Sequence, residues 1–222
     1  MPVSTVSTVA SPRRRRSTMI EETRARLLAA ARLAFAEQGY AHTSMDDFTA
    51  AAGLTRGALY HHFGSKEKLL LAVIDQLEGE VGARLQAIAD SAPTTREALR
   101  RRCQGYLELA LVPELRRIIL QDARAMFGDV PQAHQRLGIA ALEAALQGLI
   151  DDGVARPVHA GVTARMLYGA VTEAAFWIAE ADGDPPARLA ASQAALDHLL
   201  NGLLVRQANL PNAQERPHAM EK

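Results

Sequence analysis

The sequence has 222 residues, 48% of them hydrophobic and 23% charged, with 25 basic residues balanced by 25 acidic ones. That length buries a substantial core without staples, and abundant alanine and leucine favour an all-α chain. A single cysteine, Cys103, excludes an internal disulfide, and no apolar run approaches the ~20 residues needed to cross a bilayer. No export signal core follows Met1, so the expected compartment is the cytoplasm. The charges divide unevenly: through residue 75 there are 10 Lys and Arg against 7 Asp and Glu, leaving 15 against 18 in the remainder. A slightly basic head on an acidic body is compatible with nucleic-acid binding at the front, but much of the difference is the run Arg13–Arg16.

In chain order, the Ser, Thr, Pro and Arg of residues 1–20 carry no apolar periodicity and are expected to form a disordered basic arm. A first helix is expected from about Glu21 to Gln38, with Leu27, Ala31 and Phe35 four apart on one face. Gly39 ends it in a left-handed cap, with Tyr40 folded back on Phe35. Ser44 is placed to cap a second, short helix whose Asp46 and Asp47 suit its positive end; Met45, Phe48 and Ala52 face inward. Gly53 closes that helix, Leu54 plugs the turn, and Thr55 caps a third helix running only to Phe63. Helix, tight glycine turn, helix over residues 44–63 is a helix-turn-helix.

With Leu59 and Phe63 inward, Gly57 and His61 lie nearly opposite, flanked by Ala58 and Tyr60. Small residues near the helix start and donors further along suit an element laid in the major groove. Arg56 in the first turn can read guanine bidentately, while Tyr60 and the histidines can donate to phosphate. Gly64 caps this helix and Ser65 starts a fourth, so Lys66 and Lys68 project from a first turn where cations are disfavoured. Either a phosphate or Glu67 and solvent can answer that charge. His61 and His62 point in different directions and make poor metal co-ligands, so no metal and no cofactor are expected. "GSKEK" lacks the earlier glycine and preceding strand of a phosphate-binding loop.

The stretches "FAEQGY" and "TSMDDFTAAAGLTRGALYHHFGSKEKLLLAV" resemble the DNA-binding region of TetR-family transcriptional regulators over roughly Thr23 to Val73. One departure is Phe48-Thr49-Ala50 where the family more often has an Ile-Ala pair. The resemblance implies that Thr43 and Ser44 bind phosphate, that Thr55, Tyr60, His61 and Lys66 make further backbone contacts, and that Arg56, Gly57 and Ala58 face the bases. The Arg13–Arg16 arm either adds a minor-groove or phosphate contact or is a solvated tail.

Beyond residue 75 the fold is read from pattern. A long fourth helix from Lys66 toward Ala89 carries Leu69, Val73, Leu77, Val81 and Leu85 at four-residue steps, interrupted by Gly79 and Gly82. Proline-marked breaks separate a fifth helix (about 96–111), a sixth (114–127) and a seventh ending near Gly153. In the last two helices Val171, Ala174, Ala175 and Ile178, and Ala191, Ala195, Leu199 and Gly202, form small-residue faces that permit close helix approach. In the resembled family such a final pair forms a two-fold dimer interface. The same faces also suit an intramolecular core. Met126, Phe127, Met166, Phe176 and Trp177, with Leu137 and Tyr168 beside them, offer adaptable and aromatic surface for an effector cavity, and Gln121, Asp122 and Arg124 offer polar anchors.

The expected architecture is therefore about nine helices: the arm over 1–20, a helix-turn-helix DNA-binding domain over 21–80, an effector-binding and dimerisation domain over 81–206 and a flexible tail over 207–222. The expected function is that of a homodimeric repressor bound to a palindromic operator and released by a small, largely apolar effector, with no membrane partner. An activator on the same fold, and an enzyme using Cys103 beside Arg100, Arg101 and Arg102, are the alternatives.

Overall fold

The computed structural model describes residues 12–128, 132–180 and 182–205. Among them every regular element is helical, apart from one isolated bridge between Ala155 and Leu204. The tail over 207–222 lies outside the described residues.

Three helices make the head: α1 (Pro12–Gln38), α2 (Met45–Ala52) and α3 (Arg56–Phe63). Their shared centre is Phe35, Phe48 and Leu59, each fully buried, with the edge of one phenyl ring against the other at 5.1 Å between centroids. Each such side chain contributes roughly 1.5–3 kcal/mol by leaving water. The phenyl of Phe48 occupies the place where the resembled family more often carries isoleucine, and Phe35 supplies the matching ring.

Helix α1 begins at Pro12, well before Glu21, so Arg13–Arg16 continue a helix instead of forming a separate arm. The reason is local: Pro12 stands at the first helical position, where its fixed φ and missing N–H cost nothing, and neither glycine nor proline interrupts the good helix formers that follow. The side chains of residues 13–16 lie outside what is described.

The body follows as α4 (Lys66–Asp90), α5 (Thr95–Leu109), α6 (113–127), α7 (Gln132–Asp151), α8 (Ala160–Ala179) and α9 (Pro185–Leu203). Helix α6 joins Pro113–Leu115, Arg116–Ala123 and Arg124–Phe127 without a break, and its middle eight residues wind as a π-helix. The ladder expected on α4 is its buried face: Leu69, Val73, Leu77, Val81 and Leu85 are all in the core. Helix α5 is the central post, touching α4, α7, α8 and α9. Gly105 allows α4 that close, since a methyl there would stand 3.1 Å from the Ile88 side chain.

Candidate nucleic-acid interface and internal cavity

The geometry of α2 and α3 follows from their end residues. The Ser44 hydroxyl accepts from the Asp47 amide and the Asp47 carboxylate accepts from the Ser44 amide, a complete capping box that satisfies two amides otherwise left open. Gly53 adopts φ 61°, the left-handed conformation that glycine tolerates best, and turns the chain so that Thr55 can accept from the Ala58 amide at 3.2 Å. At the end of α2, Arg26 of α1 donates to the Ala52 carbonyl at 2.6 Å, placing a cation at the negative helix end.

Leu59 and Phe63 hold α3 to the head, and Arg56, Gly57, Tyr60 and His61 are exposed on its outer side, with Ala58 partly so. Nothing packs against Gly57: a methyl there would find its nearest neighbour 4.0 Å away. An exposed glycine in a helix costs about 1 kcal/mol relative to alanine, and no contact inside this chain accounts for it. Arg56 lies over the Tyr60 ring, bonds the Tyr60 hydroxyl at 3.4 Å and pairs with Asp46 at 3.3 Å. Both charged partners are well exposed, so the pair contributes little to stability and leaves the guanidinium available as a donor fork.

Two of the expected contact residues are engaged elsewhere. Thr43 is 5% exposed, and its hydroxyl donates to the Tyr40 and Gly39 carbonyls; it closes the turn instead of facing outward. Lys66 is partly buried, with its ammonium on the Tyr40 carbonyl and 4.2 Å from the Tyr40 ring centroid. Burial lowers its pKa, opposed by Asp122 and Asp47. The Tyr40 turn answers the charge for which either a phosphate or Glu67 and solvent was expected.

That turn also joins head to body. The Tyr40 amide donates to Asp122 at 2.8 Å, and Arg117 donates to the Gln38 carbonyl at 3.2 Å, both partners standing on the π-helical part of α6. Arg32 of α1 bonds both oxygens of Glu114 on α6, at 2.7 and 2.8 Å, and Glu80 on α4 at 2.7 Å. These carboxylates hold the Arg32 guanidinium well above its usual pKa.

A cavity of about 290 Å³, open to the surface, lies between α4, α5, α7 and α8. Helix α4 opens it with Gly79 and Gly82, beside which a methyl would meet nothing within 4 Å. Val81, Leu142 and Val171 give it apolar walls, and Tyr106 and Tyr168 add rings. Its polar groups are Glu78 of α4, Arg102 of α5, His134 of α7 and Thr172 of α8. Burial pushes the Glu78 carboxyl up to about 7. Burial also pushes the Cys103 thiol up to about 12, against the pull of Arg102. At neutral pH that sulfur is a thiol, which removes the basis for using it as a nucleophile.

Of the ten residues expected at an effector cavity, Leu137 and Tyr168 line this one and the other eight do not. Gln121 donates to the Ala179 carbonyl at 2.9 Å and Asp122 accepts from Tyr40. Phe176 is buried under Arg124, and Phe127 packs at the edge of the core. Met126, Met166 and Trp177 are exposed. The face expected to meet a second subunit on α8 is likewise turned inward: Val171, Ala175 and Ile178 are buried in this chain and Ala174 is partly buried.

On α8 the physical reason is one phase error. Helix α8 is apolar on two sides, with Leu167, Val171, Ala175 and Ile178 in the core and Val162, Met166, Ala170 and Trp177 outside, and periodicity alone does not say which stripe faces its own core. On α9, Ala191, Ala195, Leu199 and Gly202 are all exposed. The sign that could have located the cavity was the pair of glycines, Gly79 and Gly82, that follow Glu78 on an otherwise regular helix, a costly pattern unless space is needed.

Comparison with known proteins gives the fold its family. Residues 27–73 match the model of the bacterial regulatory proteins, tetR family, and residues 96–203 match that of the tetracyclin repressor-like C-terminal domain. A solved TetR-family transcriptional regulator from Pectobacterium atrosepticum is 52% identical, with a TM-score of 0.81, over 85% of this chain and 97% of that one. The HTH-type transcriptional regulator TtgR of Pseudomonas putida is 44% identical over 64 residues, covering 29% of this chain and 30% of TtgR. The HTH-type transcriptional repressor KstR2 of Mycolicibacterium smegmatis is 32% identical over 106 residues, covering 48% of this chain and 52% of KstR2. The matched stretches thus span about half or less of these curated relatives. With a capped helix-turn-helix that exposes the outer side of α3, both domain models matched in order and a whole-length structural counterpart, the chain belongs to the TetR family of DNA-binding transcriptional regulators.

Proposed function

We propose that the protein is a repressor that binds a two-fold symmetric operator as a homodimer in the cytoplasm and leaves it when a small molecule enters the cavity. The observation that carries this reading is the outer side of α3, where an unexplained exposed glycine stands among Arg56, Tyr60 and His61. Arg56, Gly57 and Ala58 then approach base edges, and Ser44, Thr55, Tyr60 and His61 approach phosphates. Thr43 and Lys66 serve by fixing the Tyr40 turn.

The dimer face in this reading combines Ala191, Ala195, Leu199 and Gly202 of α9 with Val162, Met166 and Trp177 of α8. A two-fold axis there presents two α3 helices about one DNA turn apart.

Effector release runs through α4. Its Glu78 borders the cavity, while Glu80 on another side is held by Arg32 of the head. A ligand that moves α4 therefore moves the head with it. A tenfold loss of operator affinity needs only ~1.4 kcal/mol of differential binding.

The test is fluorescence anisotropy with the purified protein and labelled duplexes at physiological salt. Tighter binding to the region upstream of its own gene than to scrambled duplex is expected, with Arg56→Ala flattening the difference by about 1–3 kcal/mol. Equal affinity of the unaltered protein for both duplexes sinks the proposal.

A further inference from the structure

The walls of the cavity carry polar groups that the fold leaves unsatisfied. Among the described residues the buried Thr172 hydroxyl makes no hydrogen bond, and the partly buried Glu78 carboxyl borders the same space. His134 approaches Asp75 with Nε2 at 3.7 Å, but its Nδ1 is buried without a partner. Leaving such groups unpaired costs on the order of 1–3 kcal/mol each. Arg102, a cation on the same wall, is already held by the Gln86 side-chain oxygen at 3.1 Å.

Glu78, Thr172 and His134 have a common character. A carboxylate only accepts, whereas a threonine hydroxyl and an imidazole Nδ1 can each accept or donate, so all three can serve one group that bears N–H donors. The complement is a group rich in N–H donors and positively charged. A carboxylate-bearing ligand would add a second negative charge beside Glu78, with Arg102, already bonded to Gln86, as the cation to meet it. The rest of the lining is apolar or aromatic. The Tyr168 ring sits directly on the backbone of Gly138, where a methyl would stand 2.7 Å away, and Tyr106 also borders the space; aromatic faces attract cations as well as hydrocarbon. The volume of about 290 Å³ stands at the lower end of the ~300–1,000 Å³ usual for small-molecule sites.

We infer that the effector is a small amphipathic organic cation, a protonated amine on an aromatic or aliphatic body, whose ammonium group pairs with Glu78. This rests on the reading of the cavity as the effector site. The raised Glu78 pKa fits it, because a buried carboxylate disfavours its own charge until a cation arrives.

The experiment uses the full chain and three probes of one shape: phenylbutylamine, phenylbutanol and phenylbutyrate, titrated calorimetrically at about pH 8, where the carboxyl is largely ionised. The amine should bind at least about tenfold more tightly than the alcohol or the acid. Glu78→Gln should erase that preference while leaving the alcohol unchanged. The order of the three probes on the unaltered protein needs no variant to fold. Equal binding of amine and alcohol, preference for the acid, no binding by the amine, or an amine preference that survives Glu78→Gln overturns the assignment. If the alcohol or acid binds and releases DNA, only the amine assignment fails; if the amine binds tightly through Glu78 without changing DNA affinity, only the effector reading fails.

Discussion

Helix α3 and helix α8 bury their apolar residues under different constraints. Helix α3 has only Leu59 and Phe63 to bury, and everything else on it is small or polar, so a single orientation is available and its outer side follows at once. Helix α8 has an apolar stripe on each of two sides, one packed in its own chain and one exposed. The difference teaches that amphipathicity fixes a helix's orientation only when one side is apolar. A helix that serves both a core and a second surface offers two orientations, and neighbours decide between them.

The strongest way to break this contrast is to remove what orients the head. Phe48→Ala should cost about 3–5 kcal/mol in urea unfolding, with loss of all DNA binding, because the ring against Phe35 has no substitute. A smaller loss would mean that the short helices are held chiefly by their caps.

Next in size is the second surface. Leu199→Arg places a charge on the exposed α9 stripe and should leave the fold of each chain intact. It should weaken the dimer by about 3 kcal/mol or more through an unpaired buried charge, measured by sedimentation. An unaltered association state would move the dimer face elsewhere.

Glu78 sharpens the contrast through pH. Its folded pKa is raised from 4.5 to about 7, so the native state holds more protons than the unfolded chain between those values. Its contribution is fully present below about pH 4.5 and is lost as pH rises through about 7. Relative to the unaltered protein, Glu78→Gln should therefore gain on the order of 2 kcal/mol at high pH and little at low pH. Thermal unfolding across that range reads it directly; a constant difference would place the carboxyl in water.

Smaller effects follow at Lys66 and Gly82. Lys66→Ala should lower stability by ~1 kcal/mol by freeing the Tyr40 turn, whereas a lysine acting purely on phosphate would leave stability unchanged and reduce the salt slope of DNA binding by about one. Gly82→Ala should add ~0.5–1 kcal/mol of helix stability while narrowing the cavity, so tighter folding should accompany weaker ligand binding. The same measurements, chemical unfolding and calorimetry, separate these outcomes.

Much of the head was legible because its determinants are local. Ser44, Gly53, Thr55 and Gly64 act within a few residues of themselves, and the fold of Tyr40 onto Phe35, at 5.8 Å between rings, follows from the Gly39 turn. Lys66 was legible as a cation in an unfavourable place, but its partner was not, since the Tyr40 carbonyl is brought to it only when α1 and α4 pack. The start of α1 was misjudged because apolar periodicity is silent where a helix has no core to face.

The sequence by itself determined the nine helices of the described residues, the caps at the ends of the first three, the buried ladder of α4 and the outward side of α3. Each of these depends on spacing, on end residues or on a single apolar stripe. Only the tertiary structure decided which stripe of α8 faces inward, that Glu78, Arg102, His134 and Thr172 share one cavity, and that the Tyr40 turn is bolted to α6. Those outcomes depend on residues far apart in the chain and on how four helices leave space between them, which no local periodicity encodes.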